Sequence, residues 1–273
     1  MYESYWQLTQ KPFDDTVDPR FYFPGESQQA ALLKLRYAVE NRRGGALLAG
    51  PNGSGKTLIV NILRQVLSES FQPLAHLVFP QMSTGELLAY LADELDGSAA
   101  SPAVPSVAES VRRIERFLAE NTRQGRHAVV VVDEAHLLES ARTFQTLRLL
   151  LNFQTDGQPG LTLLLVGQPA LLPMLDRMPE VEQCLGMKSL LRPFSETETA
   201  QYVNHRLQAA GALGTIFEPE AFPVLHELTH GIARQINRLC DLALLIGFAE
   251  QRSQITAAHL ESVCQELVAV GPE

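Results

Sequence analysis

The stretch that decides the fold is residues 46–57, which read ALLAGPNGSGKT. It begins with an apolar run at residues 46–49, which predicts a buried β-strand. It ends in the pattern G-x-x-x-x-G-K-[ST], and helical spacing follows over residues 57–68. A glycine-rich loop between a buried strand and a helix is the context that a phosphate-binding loop requires.

The residue types in this loop each suit a triphosphate. Glycines let the backbone curl so that successive N–H groups point inward at phosphate oxygens, and the following helix contributes its positive end. We expect Lys56 to place its charge between the β- and γ-phosphates and the Thr57 hydroxyl to bind Mg²⁺. The predicted ATP-binding residues are Gly50, Pro51, Asn52, Gly53, Ser54, Gly55, Lys56, Thr57 and Leu58.

Buried strands alternate with helices through most of the chain. Three further apolar runs and one weaker run predict strands at residues 74–79, 128–132, 161–166 and 189–192. Helical spacing lies around and between the strands, at residues 28–41, 57–68, 84–95, 106–123, 143–153 and 170–183. Continuous apolar strands of this kind belong to a parallel sheet that is covered on both faces.

After Pro193 the strand signals stop, and residues 196–210, 219–229, 233–249 and 256–267 all have helical spacing. The fold class is therefore predicted as α/β: a P-loop nucleoside-triphosphatase core with a five-stranded parallel sheet, followed by a small all-helical lid. We place the core, with its aromatic lead-in at residues 1–27, in residues 1–195 and the lid in residues 196–273. The polar, proline-containing residues 97–106 predict an exposed loop within the core.

The second motif after the phosphate loop is an acidic strand end, VVVVDE at residues 129–134. Ligands of a parallel sheet bind at the carboxyl ends of its strands, so two carboxylates at this position favour catalysis. We expect Asp133 to hold Mg²⁺ and Glu134 to polarise the attacking water. The string continues as DEAH, which is typical of helicases, but the helical region after Pro193 leaves no second α/β domain. His136 is therefore interpreted as a polar residue at a helix start.

Two more residues complete the predicted catalytic set of Lys56, Glu134, Gln168 and Arg234. Gln168 follows the buried run LLLVG and can reach a γ-phosphate or water as a sensor, or it can be an ordinary loop residue. Arg234 begins a helix of the second module and can act as a charge sensor, or it can lie on the surface.

The composition and charge of the chain limit where it can act and which partners it can bind. Hydrophobic residues make up 45% of the chain and charged residues 19%, which is an ordinary globular balance. Three widely spaced cysteines, with no secretory signal and no apolar run near 20 residues, predict a cytoplasmic protein without a membrane span. From residue 196 onward there are 4 basic against 10 acidic residues, which disfavours nucleic-acid binding. One basic cluster keeps that possibility open: Arg112, Arg113, Arg116, Arg123 and Arg126.

Taken together, these motifs resemble the AAA+ ATPases of the general secretion pathway protein A family and, more distantly, the ATPase regulators of DNA transposition. The matching strings include MYESYW, DPRFYF, GPNGSGKT, VVVVDEAHLL, LRLLLNFQTDG, LLLVGQP and GIARQINRLCDLALL. The resemblance implies Mg²⁺ and ATP, nucleotide-dependent self-association, and remodelling of a protein partner that the sequence does not identify. It also implies that Gln168 is the first sensor and Arg234 the second.

Two positions depart from the pattern of these relatives. Cys184 stands where they have an arginine that reaches the γ-phosphate of a neighbouring subunit, and Phe79 stands where they tend to have asparagine, with Gln81 nearby. An arginine finger can raise the rate by roughly 10³ to 10⁵. Its loss predicts slow hydrolysis, or a substitute from Arg177, Lys188 or Arg148. Two alternatives to an ATPase switch therefore remain open: an ATP-gated scaffold with little turnover, and a DNA-associated ATPase.

Overall fold

The computed structural model describes residues 1–14, 18–97, 105–138 and 140–269. The chain divides into two compact units. The first, which we call the sheet unit, comprises Gln29–Gly50 and Ile59–Leu191, and the second, the helical unit, comprises Met1–Gln28, Pro51–Leu58 and Arg192–Glu273. Most of the loop predicted at residues 97–106 lies outside the described residues, and the domain boundary after residue 195 stays a prediction.

The sheet unit is built on a parallel five-stranded sheet, as the sequence predicts. Its strands are β1 (Gly45–Ala49), β2 (Leu74–Leu77), β3 (Ala128–Val132), β6 (Leu161–Gly167) and β7 (Leu185–Leu190). Their order is β2-β3-β6-β1-β7, and every described pairing is parallel. The three central strands are buried along their whole length because they have a neighbour on each side and helices on both faces.

The helices follow in chain order. They are α1 (Glu26–Glu40), α2 (Lys56–Val66), α3 (Thr84–Asp96), α4 (Val107–Arg123), α5 (Ala141–Leu150), α6 (Leu171–Asp176), α7 (Pro179–Glu182), α8 (Glu196–Ala209), α9 (Ala221–Thr229), α10 (Ala233–Ala249) and α11 (Ala257–Ala269). Ser195 marks the start of α8 with a capping box, in which its hydroxyl accepts from Glu198 N and the Glu198 carboxylate accepts from Ser195 N. None of the helices in the described ranges is long and apolar enough to cross a membrane.

Both edge strands differ from the prediction. β2 ends at Leu77, and the side chains of Val78 and Phe79, predicted as buried, are 60% and 61% exposed. β2 is an edge strand whose pairing with β3 stops at Leu77, so the chain beyond it has no neighbouring strand to pack against. β7 is the other edge, pairs only with β1, and starts four residues earlier than predicted. Its alternating burial explains the weak apolar signal.

Two local features were also missed. The helix predicted over residues 170–183 breaks into α6 and α7, and Pro179 occupies the first turn of α7. Proline lacks the N–H that a continuous helix would need. A small hairpin, β4 (Gln154–Thr155) and β5 (Gln158–Pro159), turns at Asp156-Gly157, where both φ angles are positive. Asp-Gly is a strong signal for such a turn.

The helical unit has its own core, formed by α8 to α11 and the lead-in. Aromatic side chains of the lead-in, which we expected on the α/β core, share one buried cluster with the C-terminal helices: Tyr2, Trp6, Phe13 and Phe21. Trp6 Nε1 donates to Leu244 O at 2.9 Å, and Thr9 N donates to Ala210 O at 2.8 Å. A buried Arg206 fixes the same segment by donating to Pro12 O and Asp14 O at 2.6 and 2.8 Å.

Candidate functional site

The predicted phosphate loop joins β1 to α2, which begins at Lys56. Its backbone is curled: Ser54 N donates to Pro51 O at 3.3 Å, and Gly53 and Gly55 have φ angles of +77° and +91°. Residues with a Cβ adopt such angles at a cost of roughly 1–2 kcal/mol, so glycine suits both positions. The local geometry is therefore the one that the glycine pattern predicts.

The polar groups of the loop fit an anionic ligand. The Ser54 hydroxyl is buried and has no hydrogen-bond partner among the described residues, a situation that costs about 1–3 kcal/mol unless a ligand or water meets it. Lys56 is only 5% exposed, and its Nζ donates to Pro51 O at 3.1 Å. A Cβ at Gly55 would have no described heavy atom within 4 Å, so the loop has open space on that side. A buried cation and an unsatisfied hydroxyl beside open space are what a phosphate group requires.

Arg234 lies against the same loop. Its backbone N donates to Gly53 O at 3.1 Å, and its Nη1 donates to Asn52 Oδ1, also at 3.1 Å. The approach is so close that a Cβ on Gly53 would lie 2.7 Å from Arg234 Cβ. Arg234 is exposed, which leaves its guanidinium accessible to a ligand. The structure thus brings together two parts of the predicted site that are separated by about 180 residues in sequence.

The acidic pair lies at the end of β3 in the sheet unit. Asp133 is 2% exposed, its N donates to Leu77 O at 2.8 Å, and its Oδ1 accepts from Glu134 N at 2.9 Å. Glu134 has a φ of +49°, a left-handed conformation that is strained for a residue with a side chain. Its side chain is 34% exposed. One carboxylate is therefore fixed in the protein, and the other is held by a strained backbone in reach of solvent.

Two histidines accompany these carboxylates, and the sequence analysis assigned neither to the site. His76 on β2 has its Nε2 3.5 Å from Asp133 Oδ2, and this nitrogen is buried without a hydrogen-bond partner in the described chain. His136 Nδ1 lies 3.4 Å from Glu134 Oε2. The register of β2 against β3 places His76 here, and no local pattern signals that register. The DEAH string was the sequence signal that could have assigned His136 to the site.

Gln168 follows β6, and its backbone N donates to His136 Nδ1 at 3.4 Å. Asp133, Glu134, His136 and Gln168 are therefore neighbours at the carboxyl ends of β3 and β6.

A narrow pocket in the helical unit was also missed. Gln28, Pro51, Ser54, Phe194, Gly231 and Ile232 are among its lining residues. It holds no volume that a water molecule could occupy, so a ligand could enter only after side chains move. It combines residues from the start of α1, the phosphate loop and the segments before α8 and α10, and a sequence pattern cannot reveal that combination.

Two of the five arginines in the basic cluster are paired with carboxylates. Arg113 donates to Asp93 and Asp96 of α3, in both cases at 2.8 Å. Arg123 lies 3.5 Å from Glu120. Guanidinium groups that are already paired with carboxylates contribute little to a phosphate-binding surface. Arg112, Arg116 and Arg126 have no carboxylate partner in the described ranges, so part of the positive charge of the cluster is uncompensated.

The region of the missing arginine finger contains three other cations. Cys184 Sγ donates to a backbone carbonyl at 3.4 Å. Lys188 and Arg148 both face glutamates of α7. Arg177 is exposed, and no acidic side chain in the described ranges pairs with it. Of the three proposed substitutes, Arg177 is the one whose charge is available to a second molecule.

Comparison with known proteins supports the same family. The profile of the AAA domain family matches residues 39–175. The chain is also 33% identical, over 277 aligned residues, to general secretion pathway protein A of Aeromonas hydrophila. The alignment covers all of this chain and 50% of that relative, so the chain spans half the length of the curated protein it matches.

Solved structures agree on the fold. The ORC2 protein of Aeropyrum pernix, in its ADPNP and ADP complexes, superposes with a TM-score of 0.70 at 18% identity, over 97% of this chain and 73% of that one. CDC6P from Pyrobaculum aerophilum gives 0.73 at 17% identity, over 96% and 74%. The RuvB Holliday junction branch migration motor of Thermotoga maritima gives 0.58 at 18% identity, over 88% and 69%. At these identities the likeness concerns the fold alone.

Proposed function

The chain belongs to the AAA domain family and is a homologue of general secretion pathway protein A, and from this premise we propose that it is a Mg²⁺-dependent ATPase switch. The observation that carries the proposal is the phosphate loop. Its buried Lys56, its unsatisfied Ser54 hydroxyl and its left-handed glycines suit a polyphosphate, and Arg234 adds a second cation beside it. An ordinary glycine-rich turn does not require a buried lysine, an unsatisfied hydroxyl and a neighbouring arginine.

The remaining roles follow from the chemistry of each side chain. Backbone N–H groups of residues 50 and 52–58 bind phosphate oxygens, since Pro51 has no N–H to donate, and Lys56 neutralises their charge. The Thr57 hydroxyl and the Asp133 carboxylate would hold Mg²⁺. When bound, Mg²⁺ neutralises charge on the phosphates and favours their transfer. Glu134 accepts a proton from the attacking water, which its strained and partly exposed position allows.

Gln168 and Arg234 sense the γ-phosphate in this proposal. The Gln168 backbone N donates to the imidazole that also faces Glu134, and Arg234 can exchange its contact with Asn52 for one with phosphate oxygen. Hydrolysis then changes the contacts of Arg234 with the loop, and this change is how we expect nucleotide state to reach the C-terminal helices of the helical unit.

We further propose that the protein self-associates with ATP and remodels a protein partner, as the family resemblance implies. A link to secretion or envelope assembly is suggested by the homologue. The acidic segment after residue 196 argues against DNA as the partner. The free cysteines at positions 184, 240 and 264 suit the reducing cytoplasm.

One experiment tests the function. ATP affinity, phosphate release and mass in solution are measured for the parent, Lys56→Ala, Glu134→Gln and the exposed-lysine control Lys11→Ala. We expect Lys56→Ala to lose binding, because the buried ammonium is removed. Glu134→Gln should bind and assemble but not turn over, because it lacks the base. Lys11→Ala should match the parent, and equal affinity of Lys56→Ala and the parent would refute the assignment.

The second candidate is an ATP-gated scaffold, which Cys184 in the place of the arginine finger favours. The same measurements separate it from the switch: parent turnover no faster than that of Glu134→Gln would support the scaffold. If the parent does turn over, Arg177→Ala tests the exposed substitute. We expect turnover to fall in assembled protein while ATP affinity stays unchanged, because a finger acts on the neighbouring subunit.

A further inference from the structure

His136 has a position that its role at a helix start does not explain. A short 3-10 helix, Ala135–Leu137, follows Glu134 and carries the imidazole back toward the sheet, where it is largely buried. Gly167 makes room for it, because a Cβ at that position would lie 3.3 Å from His136 Nδ1 and 3.2 Å from a Leu171 methyl group. The absence of a side chain at Gly167 thus lets the ring approach the end of β6.

The same ring nitrogen faces two groups of the proposed active site. His136 Nδ1 accepts from Gln168 N at 3.4 Å, and it lies 3.4 Å from Glu134 Oε2. One nitrogen cannot satisfy both, because it either accepts through its lone pair or donates through its proton. As an acceptor it fixes the backbone at Gln168 and offers Glu134 no hydrogen bond. As a donor it binds the Glu134 carboxylate and releases Gln168 N.

We infer that His136 is a positioning residue that makes these two arrangements alternatives. In the first, the Gln168 backbone is fixed and the Glu134 carboxylate is available to a water molecule. In the second, the Glu134 carboxylate is held by the imidazole and is a poorer base. This inference rests on the proposed ATPase function. It assigns to His136 the coupling of the two residues, and it assigns to Gly167 the space in which that coupling takes place.

Spectroscopy of the His136 ring shows which of the two arrangements the protein adopts, and it does not require ATP turnover. Nitrogen-15 spectra of the labelled protein report which imidazole nitrogen carries the proton, and loss of one signal in His136→Gln assigns it. We expect Nε2 to carry the proton and Nδ1 to accept, as the contact with Gln168 N requires. We also expect Glu134→Gln to move these signals, because an amide next to Nδ1 can donate to it. A proton on Nδ1 would mean that the second arrangement predominates in the free protein, whereas unchanged signals in Glu134→Gln would overturn the inference.

Kinetics then test the consequence. His136→Ala should lower kcat roughly 10- to 100-fold with ATP affinity unchanged, because the reacting groups lose their alignment and the phosphate loop is untouched. His136→Asn should recover most of kcat, since its Oδ1 occupies the place of Nδ1 and accepts from Gln168 N. The matched control is His226→Ala, which removes a half-buried histidine hydrogen-bonded through Nδ1 to Thr199 and should leave kcat unchanged.

The outcomes separate the inference from the function beneath it. A parent that binds no ATP defeats the proposed function, and the spectra still decide the position of His136. A parent that turns over with a His136→Ala variant of equal kcat defeats the inference alone. A loss of kcat that His136→Asn shares, together with a lower thermal midpoint, would mean that His136 only supports the fold and would also overturn it.

Discussion

Alanine substitutions at Gly53 and Gly55 distinguish the contribution of the phosphate loop to folding stability from its contribution to ATP binding. In Gly53→Ala the new methyl group would lie 2.7 Å from Arg234 Cβ and 3.3 Å from an Ile232 methyl group. The overlap costs roughly 1–3 kcal/mol, and the φ of +77° adds about 1 kcal/mol of backbone strain. Alanine returns about 0.4–1 kcal/mol by restricting the unfolded chain. We therefore expect a net loss of roughly 2 kcal/mol.

Gly55→Ala is the matched control. Its φ of +91° gives comparable strain, but nothing in the described structure lies within 4 Å of the new Cβ. Without an overlap, the strain and the unfolded-state gain nearly cancel, and we expect a loss below about 1 kcal/mol. The Cβ instead enters the open side of the loop, so ATP affinity should fall at least about tenfold, equivalent to 1.4 kcal/mol.

Urea unfolding measures the free energy of unfolding of each variant. The chain has one tryptophan, Trp6, which is buried in the helical unit, so its fluorescence follows the unit that contains residues 51–58. Titration with ATP and Mg²⁺ measures the ATP affinity of each variant. Equal destabilisation by Gly53→Ala and Gly55→Ala would refute the close approach of Arg234. Full ATP affinity in Gly55→Ala would refute the phosphate site.

Two further predictions concern stability. Burial lowers the pKa of His127 from its ordinary value of 6.5 to about 4, so the unfolded chain takes up a proton first as pH falls. The stability is therefore fully present above about pH 6.5 and is lost toward about pH 4, with a loss of about 2 kcal/mol at about pH 5. Urea unfolding of the parent and His127→Asn at both ends of this window checks it, and equal pH dependence would contradict it. Separately, Arg206→Met should destabilise the helical unit by roughly 3–5 kcal/mol, because the buried guanidinium donates to Pro12 O and Asp14 O. Trp6 fluorescence in urea measures this loss, and a change below about 1 kcal/mol would show that the lead-in is held by apolar packing alone.

The central part of the fold could be predicted from the sequence because its signals are local. β1, β3 and β6 are continuous apolar runs, and each is found where it was predicted to within a residue. The edge strands β2 and β7 were predicted less well, since a strand with one neighbour does not need an apolar residue at every position. The extent of β2 depends on where β3 stops pairing with it, and the sequence of β2 does not indicate that point.

The candidate site shows the same division. The phosphate loop, Asp133 and Glu134 could be predicted because a short string contains both the strand end and the chemistry. Arg234 was placed only as one of two possibilities, and its contact with Asn52 required the fold of the helical unit. The roles of these residues stay predictions until the variants are measured.

By itself the sequence determined the α/β class, the phosphate loop and the acidic strand end, because each depends on neighbours within about ten residues. The tertiary structure alone decided that the lead-in packs with the C-terminal helices, and that His136 meets both Glu134 and Gln168. Those contacts join segments separated by as many as 239 residues. Their formation depends on strand order and close packing of whole elements, which no short stretch of chain encodes.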